Sequence, residues 1–201
     1  MNIWFTSDTH MSHSNIAGPE VSTWKSGFRD FKTVHQMNTA LTEGINKYVK
    51  EDDILYHLGD WSFGGVQNIL HFRNSLICKN IHLIRGNHDQ HIEDKEVKFN
   101  DISFNPIELF SSVQDVLTLE LGKTKIFLSH YSHRVWLGSH KGVIHLYGHS
   151  HGSIPDFGKS MDVGVDVAFK RFGEYRPFNI SDITNIMSKR SIDKIDHHGE
   201  D

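Results

Sequence analysis

Residues 81–89 read IHLIRGNHD, a short apolar run that passes directly into a turn of polar side chains. The run at 81–84 has the length and composition of a largely buried strand. Gly86 precedes Asn87 and His88, as expected where the backbone turns tightly beside a crowded site. The stretch therefore predicts a strand whose carboxyl end delivers an amide and an imidazole to one place.

Four other apolar runs have the same layout: residues 2–7, 54–58, 126–128 and 143–147. The polar side chains that follow them are, in chain order, Asp8 and His10, Asp60, His130, and His149 and His151. In an open α/β sheet the carboxyl ends of the strands share one edge, and ligand sites form there. We therefore expect five separate segments to deliver aspartate, histidine and asparagine side chains to a single site.

Longer amphipathic stretches alternate with these runs, which predicts an α/β fold. Apolar residues at helical spacing predict one helix over residues 31–48, with Asp30 as its N-cap, and a second over residues 65–74. Residues 117–121 and 125–128 flank a short turn and predict a β-hairpin.

The remaining sequence fits a single domain. Residues 163–167 predict one more strand, and the domain is expected to cover residues 1–187. The segment at 188–201 is charged and is expected to be a disordered tail. Since Cys78 is the single cysteine, the chain cannot form an internal disulfide.

The balance of charged residues limits the classes of molecule that the protein is expected to bind. Lys and Arg total 21 against 25 Asp and Glu, a net charge of -4. This argues against a basic surface that follows the backbone of a long nucleic acid. No stretch reaches the length of a membrane span, and the first residues lack the pattern of a secretory signal. We expect a cytoplasmic protein with no membrane partner, of unknown oligomeric state.

The polar side chains at the predicted strand ends are those of a metal site. Histidine is the commonest metal ligand in proteins, and the chain has 16 histidines. Asp8 and Asp60 would supply anionic oxygens, and the histidines and Asn87 would supply neutral donors. Two divalent cations held by two carboxylates leave a net positive site, which would attract a phosphate ester.

These residues, in this order, resemble the motifs of the calcineurin-like metallophosphoesterase superfamily: Asp-x-His, Gly-Asp, Gly-Asn-His-Asp, His and Gly-His-x-His. The resemblance runs from Asn2 to His151. The stretches 130–136 and 163–167 also look like those of the small bacterial and phage phosphoesterases of the superfamily. The fold that this resemblance implies is a four-layer α/β/β/α sandwich.

The resemblance also implies a role for each candidate residue. The first metal would be held by Asp8, His10 and His151, and the second by Asn87, His130 and His149. Asp60 would bridge the two metals. His88 matches the family histidine that faces the leaving group and acts as a catalytic residue. From its position in the sequence, the neighbouring Asp89 is expected to orient the His88 imidazole.

The function implied is that of a metal-dependent phosphoric ester hydrolase. We expect a phosphodiesterase that cleaves a small phosphodiester, nucleotide-derived substrates included, by direct attack of a metal-bridging hydroxide. Mn²⁺ is the expected metal, with Fe²⁺, Zn²⁺ and Ni²⁺ as alternatives. A phosphomonoesterase, a nuclease of the same superfamily and a non-catalytic metal-binding scaffold stay open as alternatives.

One departure from the family pattern bears on the substrate. The Ser/Thr protein phosphatase branch places an Asp-Arg pair three and four residues after its Gly-Asp motif, whereas Phe63 and Gly64 occupy those positions here. This argues against a protein phosphatase. Phe63 and Trp61 have two interpretations: they form an apolar wall for a base or an aromatic leaving group, or they pack in the core as such residues more often do.

Further residues are candidates from their chemistry alone. His133 and Arg134 are candidate substrate-binding residues, because an arginine can hold a phosphate oxygen, although Arg134 can equally be a surface residue. His57, His82 and His145 lie inside predicted strands and are expected to be hydrogen-bonded in the core.

Overall fold

The computed structural model describes residues 1–193 and residue 195. Eleven strands lie in this described part of the chain. They are β1 (Ile3–Thr6), β2 (Ile54–His57), β3 (Asn80–Ile84), β4 (Val97–Phe99), β5 (Ile102–Phe104), β6 (Ser112–Gln114), β7 (Val116–Leu121), β8 (Thr124–Ser129), β9 (Ile144–Tyr147), β10 (Ser160–Asp162) and β11 (Phe178–Asn179). The five strands predicted to carry ligands are thus confirmed, with ends shifted by one or two residues.

Most of the strands belong to two sheets. The first has the order β11-β1-β2-β3-β6, with β11 antiparallel to β1 and the other neighbours parallel. The second has the order β10-β9-β8-β7, in which β7 and β8 are antiparallel. The predicted hairpin is confirmed, and its turn is closed by the pairing of Leu121 with Thr124. Strands β4 and β5 form a separate small ribbon.

The helices connect and cover these sheets. They are α1 (Ser14–Ala17), α2 (Val34–Tyr48), α3 (Val66–Ser75), α4 (Val165–Phe172) and α5 (Ile180–Ser188). Two 3-10 turns, at Pro106–Leu109 and Ser139–Lys141, complete the described secondary structure.

The two long helices predicted near the N-terminus are present, but the N-cap prediction is wrong. Thr33, not Asp30, caps α2: its hydroxyl accepts a hydrogen bond from the Gln36 backbone N–H. The chain at Asp30 is held away from the helix because Arg29 and Phe31 donate their backbone N–H groups to α1 and its end. Helix α2 therefore begins only at Val34.

The strand predicted at residues 163–167 is also wrong. Strand β10 ends at Asp162, the chain turns at Gly164, and α4 begins at Val165. Val165 and Ala168, three residues apart, are both fully buried, so a helix buries these apolar side chains where an extended strand would not. Tertiary packing overrides the β propensity of the valines here.

Each face of the first sheet contributes to a different core. On β1, Trp4 belongs to the core that packs against α2 and α3, whereas Phe5 belongs to the core between the two sheets. Leu128 and Leu146 enter the second core from the opposite sheet. The α/β class is confirmed, and three successive layers are present: the helices α2 and α3, the first sheet and the second sheet. The fourth helical layer stays a prediction of the resemblance.

The chain continues in contact with the domain beyond α5. The Arg190 guanidinium donates to the Ser160 carbonyl and pairs with Asp156. The rest of the predicted tail, residues 194 and 196–201, lies outside the described residues. None of the helices described is long and apolar enough to cross a membrane.

Candidate metal centre

The seven predicted ligands come from the carboxyl ends of five strands and lie together. The ends of β1, β2 and β3 in the first sheet supply Asp8, His10, Asp60 and Asn87, and the ends of β8 and β9 in the second supply His130, His149 and His151. Six of the seven fall into two groups whose potential ligand atoms lie within 4.8 Å of one another, and His10 and Asp60 form a third such group with His88. The site therefore lies at the seam between the two sheets.

The first group is formed by Asp8, His10 and His151. Their potential ligand atoms all lie within 4.8 Å of one another. The Nε2 atoms of His10 and His151 are each 3.9 Å from Asp8 Oδ1. Asp8 is fully buried, so a cation here would be held away from bulk water on one side.

The second group is formed by Asp60, His130 and His149, with Asn87 beside them. Asn87 Oδ1 is 3.1 Å from His130 Nε2 and 3.0 Å from His149 Nδ1. One carboxylate, one amide and two imidazoles thus converge, a donor set that suits a borderline transition-metal ion.

Asp60 connects the two groups. Its Oδ2 atom is 3.4 Å from His10 Nε2 in the first group and 3.5 Å from His130 Nε2 in the second. Its Oδ1 atom is already used, because it accepts the His88 backbone N–H at 2.9 Å. One oxygen is therefore fixed by the backbone, and the other is directed between the two histidines.

His10 gives an independent indication that a cation fits. Its side chain is almost completely buried, and neither ring nitrogen has a hydrogen-bond partner in the described part of the chain. A buried polar group without a partner is costly, by about 1–3 kcal/mol. A metal ion on one nitrogen would satisfy it.

His130 and His151 are held so that one nitrogen of each ring points at the site. His130 Nδ1 donates to the Leu58 carbonyl at 2.7 Å, which leaves Nε2 facing Asp60 and Asn87. His151 Nδ1 donates to Asp166 at 2.7 Å, which leaves Nε2 toward Asp8. Metal-bound histidines are usually fixed in this way by an acceptor on the other ring nitrogen.

Asp166 and Arg29 belong to this arrangement, and the sequence analysis missed both. Arg29 pairs with both carboxylate oxygens of Asp166, at 2.8 and 3.0 Å, and also donates to the carbonyls of Asp8 and Thr9. A buried arginine thus ties the loop after β1 to α4. The only hint of Asp166 in the sequence was its place as an aspartate within the valine-rich run at 163–167. No sequence pattern marked Arg29 as part of the site.

The suggested role of Asp89 in orienting His88 is not what the structure shows. The Asp89 carboxylate accepts three backbone N–H groups, those of Gly86, Asp60 and Trp61. It therefore fixes the turn after β2 against the turn after β3, which places Asp60 rather than the His88 ring.

Five of the candidate ligands adopt a left-handed backbone conformation. Their φ angles are 56° for Asp8, 48° for His10, 57° for Asp60, 65° for His149 and 48° for His151. Residues other than glycine rarely adopt positive φ, and aspartate and histidine are among those that do so most readily. Such strained positions are concentrated at functional sites.

The glycines that precede ligands are confirmed as positions of close approach. A Cβ atom on Gly148 would collide with the side chains of Ser7 and Asp8, and one on Gly86 would collide with Asp60. The site is packed so tightly that only a hydrogen atom fits at these two positions.

The electrostatics of the site favour a positive charge between its oxygens. Burial raises the pKa of Asp8 to about 7. Burial alone would lower the pKa of His130, but its hydrogen bond to Asp60 and the charges of Asp8 and Asp60 raise that pKa to about 9. Burial also opposes ionisation of Asp60, yet His130 and His10 hold its pKa below the usual range. A proton on His130 thus supplies positive charge that a cation would otherwise provide.

His88 lies at the edge of the site and is half-buried. Its ring meets the His10 ring edge-on, with centroids 5.3 Å apart, and its nitrogen lies close enough to His10 and Asp60 to join them as a possible ligand. The geometry is thus compatible with the predicted catalytic role and also with coordination.

His133 and Arg134 are in neither group, although His133 lines a cavity together with Asn87 and His130. The His133 ring packs edge-on against Phe127 and His145, on the outer face of the second sheet. Arg134 is exposed and has no ion pair within the described residues. Their substrate-binding role stays a prediction. Tyr131, which the sequence analysis missed, is close: its hydroxyl is 3.4 Å from Asn87 Oδ1.

The strand histidines are hydrogen-bonded, as predicted. His57 Nε2 bonds the Thr9 hydroxyl, and His82 Nδ1 bonds that of Ser112. His145 donates to the Phe127 carbonyl and accepts the His133 backbone N–H. His197 and His198 lie outside the described residues.

Comparison with known proteins agrees with this geometry. A family model described as the calcineurin-like phosphoesterase superfamily domain matches residues 1–163. That span contains all seven candidate ligands and His88.

Individual relatives extend the similarity beyond that span. Gene 66 protein of Mycobacterium phage D29 is 28% identical over 170 residues, covering 76% of this chain and 80% of its own. Uncharacterized protein MJ1445 of Methanocaldococcus jannaschii is 27% identical over 202 residues, covering 94% and 93%. The crystal structure of AQ665 from Aquifex aeolicus, a protein of unknown function, has a TM-score of 0.60 at 18% identity, covering 92% of this chain and 98% of its own. This last similarity shows a shared fold.

Proposed function

This chain belongs to the calcineurin-like phosphoesterase superfamily, and we propose that it is a phosphodiesterase that binds two divalent cations and hydrolyses a small phosphodiester. One observation carries the proposal: Asp60 Oδ2 lies between His10 and His130, at 3.4 and 3.5 Å, and so between two groups of ligands. An oxygen in that position is suited to bridge a pair of cations.

The residues divide between the two cations as the resemblance implied. Asp8, His10 and His151 would hold one, Asn87, His130 and His149 the other, and Asp60 would serve both. Mn²⁺ is the metal we propose first, with Fe²⁺, Zn²⁺ and Ni²⁺ as alternatives, since mixed nitrogen and oxygen donors accept all of them. When bound, such a pair supplies Lewis-acid activation of water and of the phosphoryl group.

The protein's own side chains perform the remaining tasks. Arg29 and Asp166 fix the orientation of His151, and Asp89 fixes the turn that carries Asp60. The walls formed by buried Asp8 and His10 exclude water from one side. His88 can donate a proton to the departing ester oxygen, because its ring lies beside His10 at the open edge of the site.

The substrate is proposed to be small. The net charge of -4 offers no extended basic surface for a long nucleic acid. A phosphodiester carries a single negative charge, which a net positive centre can accommodate.

The test is hydrolysis by protein stripped of metal and reloaded. We expect Mn²⁺ to restore cleavage of bis(para-nitrophenyl) phosphate and to support the corresponding monoester less well. A preference for the monoester would instead establish a phosphomonoesterase. No turnover with any of the four metals, by protein shown to contain metal, would favour the scaffold alternative.

A further inference from the structure

A small cavity opens directly beside His88. Its volume is about 290 Å³, and its lining includes Phe63, Gly64, Gly65, His88 and Gln90. Binding sites for complete small molecules usually measure about 300–1,000 Å³. This cavity is therefore sized for one flat ring system, single or fused, of a ligand whose phosphate would lie at the neighbouring metal centre.

Phe63 forms the aromatic wall of this cavity and is held rigidly while remaining exposed. Its backbone N–H donates to the Met11 carbonyl at 2.8 Å, and its carbonyl accepts from Asn68 Nδ2 at 2.6 Å. The ring packs on His13, with centroids 4.1 Å apart, yet 41% of the residue is exposed. Trp61, by contrast, is fully buried in the core. Of the two readings of these residues, the wall applies only to Phe63.

A chain of rings links this wall to the candidate metal ligands. The Phe63 and His88 centroids are 5.7 Å apart, and those of His88 and His10 are 5.3 Å apart. A phosphate held beside His10 would thus have an ester group near His88 pointing toward Phe63.

The cavity offers polar groups at its edge but no lysine or arginine among its lining residues. Ser62 lines it, is only 6% exposed, and its hydroxyl has no hydrogen-bond partner within the described part of the chain. Gln90 adds an exposed amide, which can both donate and accept. A second phosphate would find no lysine or arginine here and would lie near the Asp89 carboxylate, whereas a flat ring with polar edges would find both a stacking face and hydrogen bonds.

Resting on the proposed function, we propose that this cavity binds a nucleobase carried on the leaving side of the phosphate ester, stacked on Phe63. The substrate class is then a nucleoside phosphodiester. Base stacking on an aromatic side chain contributes a factor of about 5 to 150 in affinity.

The experiment compares ligands that differ only in the base. Titration calorimetry on Mn²⁺-loaded protein would measure adenosine 5′-monophosphate against ribose 5-phosphate. We expect the nucleotide to bind ~5–150-fold more tightly. Phenyl phosphate against methyl phosphate forms a second pair, and a gain there without one for the nucleotide would assign the cavity to a simple aryl ring and overturn the nucleobase proposal.

Single-residue variants test whether the tighter binding of the nucleotide depends on the Phe63 ring. Phe63→Leu keeps an apolar side chain against His13 but removes the aromatic face, so it should bring the nucleotide-to-sugar ratio close to one, whereas Phe63→Tyr should keep it. Trp24→Ala is the matched control: Trp24 is 47% exposed and packs on the same His13 ring, but it does not line the cavity. It should leave the ratio unchanged.

Two results would overturn this inference. One is equal affinity of the wild-type protein for the nucleotide and the sugar phosphate, which needs no variant to observe. The other is a ratio that survives Phe63→Leu or falls equally with Trp24→Ala. Tight nucleotide binding without hydrolysis of any diester would contradict the proposed function but leave the base-binding cavity in place.

Discussion

At the scale of single residues, the left-handed backbone at the candidate ligands explains how so many polar groups reach one point. A tight turn at Asp8 lets its carboxylate accept the His149 backbone N–H, and a similar turn lets Asp60 accept that of His88. Each such conformation costs on the order of 1–3 kcal/mol, which the surrounding hydrogen bonds must offset. The site is therefore shaped by the fold before any cation binds.

This strain predicts an unusual order of stability at His149. The residue is exposed and has a φ of 65°. Alanine would keep the Cβ atom that clashes in this conformation, whereas glycine would not. In metal-free protein, we expect His149→Gly to be more stable than His149→Ala by ~1 kcal/mol, measured by urea unfolding.

The control for this comparison is an ordinary helical position. At exposed Glu43 on α2, glycine should be less stable than alanine by ~0.5–1 kcal/mol. The same order at His149 would show that its backbone is not left-handed in solution.

His88 is the residue whose role differs most between two interpretations of the site. If it donates a proton to the leaving group, His88→Ala should retain both metals and lose ~10²–10⁴-fold in rate on an alkyl ester. The loss on a nitrophenyl ester should be much smaller, because that leaving group needs no proton. Steady-state kinetics with metal analysis on both esters checks this.

Equal losses on the two esters, or the loss of a metal, would make His88 a positioning residue or a ligand. Its closeness to His10 and Asp60 makes this a real alternative.

At the scale of secondary structure elements, the strand ends could be predicted and their supports could not. A short apolar run followed by Gly and a polar residue is a local pattern, and it located Asp60, Asn87 and His149. The Arg29–Asp166 pair joins residues 137 positions apart and depends on how α4 packs. No local pattern contains that information.

Helix α4 shows the same limit. Its valines favour a strand by local propensity, but Val165 and Ala168, three residues apart and so on neighbouring positions of a helix surface, are both fully buried. The position of Asp166 opposite His151 follows from that helix. The sequence analysis therefore missed Asp166 as the partner of His151 for the same reason that it predicted a strand in place of α4.

The Arg29–Asp166 ion pair leads to a prediction about metal affinity. Asp166→Asn should weaken metal binding by about 10–100-fold, because the acceptor that orients His151 is lost. Metal titration monitored by calorimetry would measure this. Asp115→Asn is the matched control, since Asp115 also pairs with an arginine but is largely exposed, and such pairs contribute little. If both variants bind metal like the wild type, Asp166 does not position His151.

At the scale of the whole molecule, the site joins the two sheets. The loop after β9 in the second sheet donates to Asp8 in the first, and the start of α4 donates from Val165 to the Ser7 carbonyl. The α/β class and the ligand-bearing strands followed from the sequence. The contact between the sheets did not, because it depends on side chains from distant strands that meet in the core between the two sheets.

Behind the site, His145 predicts an acid-sensitive fold. Burial, aided by the nearby His133, lowers the pKa of His145 from 6.5 to about 4. The unfolded chain therefore binds more protons between these values, so the free energy of unfolding falls as the pH drops from 6.5 toward 4. The slope from this group is about 1.4 kcal/mol per pH unit.

Replacing the buried histidine should flatten that dependence. Urea unfolding of metal-free His145→Gln should show a shallower loss of stability between pH 6.5 and 4.5 than the wild type. His71→Gln, which changes an exposed histidine on α3, should keep the wild-type dependence. If the free energy of unfolding of all three proteins changed with pH in the same way, His145 would be excluded as a cause of the loss of stability in acid.

The central proposal is that Asp60 joins two cations in one centre, and electron paramagnetic resonance of the Mn²⁺-loaded protein tests it most directly. The Asp60 oxygen between His10 and His130 predicts the spectrum of a spin-coupled pair of ions in the wild type. Asp60→Asn, which removes the anionic bridge, should lose that coupling together with metal content and activity. A wild-type spectrum of isolated Mn²⁺ alone, or an unchanged coupled spectrum in Asp60→Asn, would contradict the account.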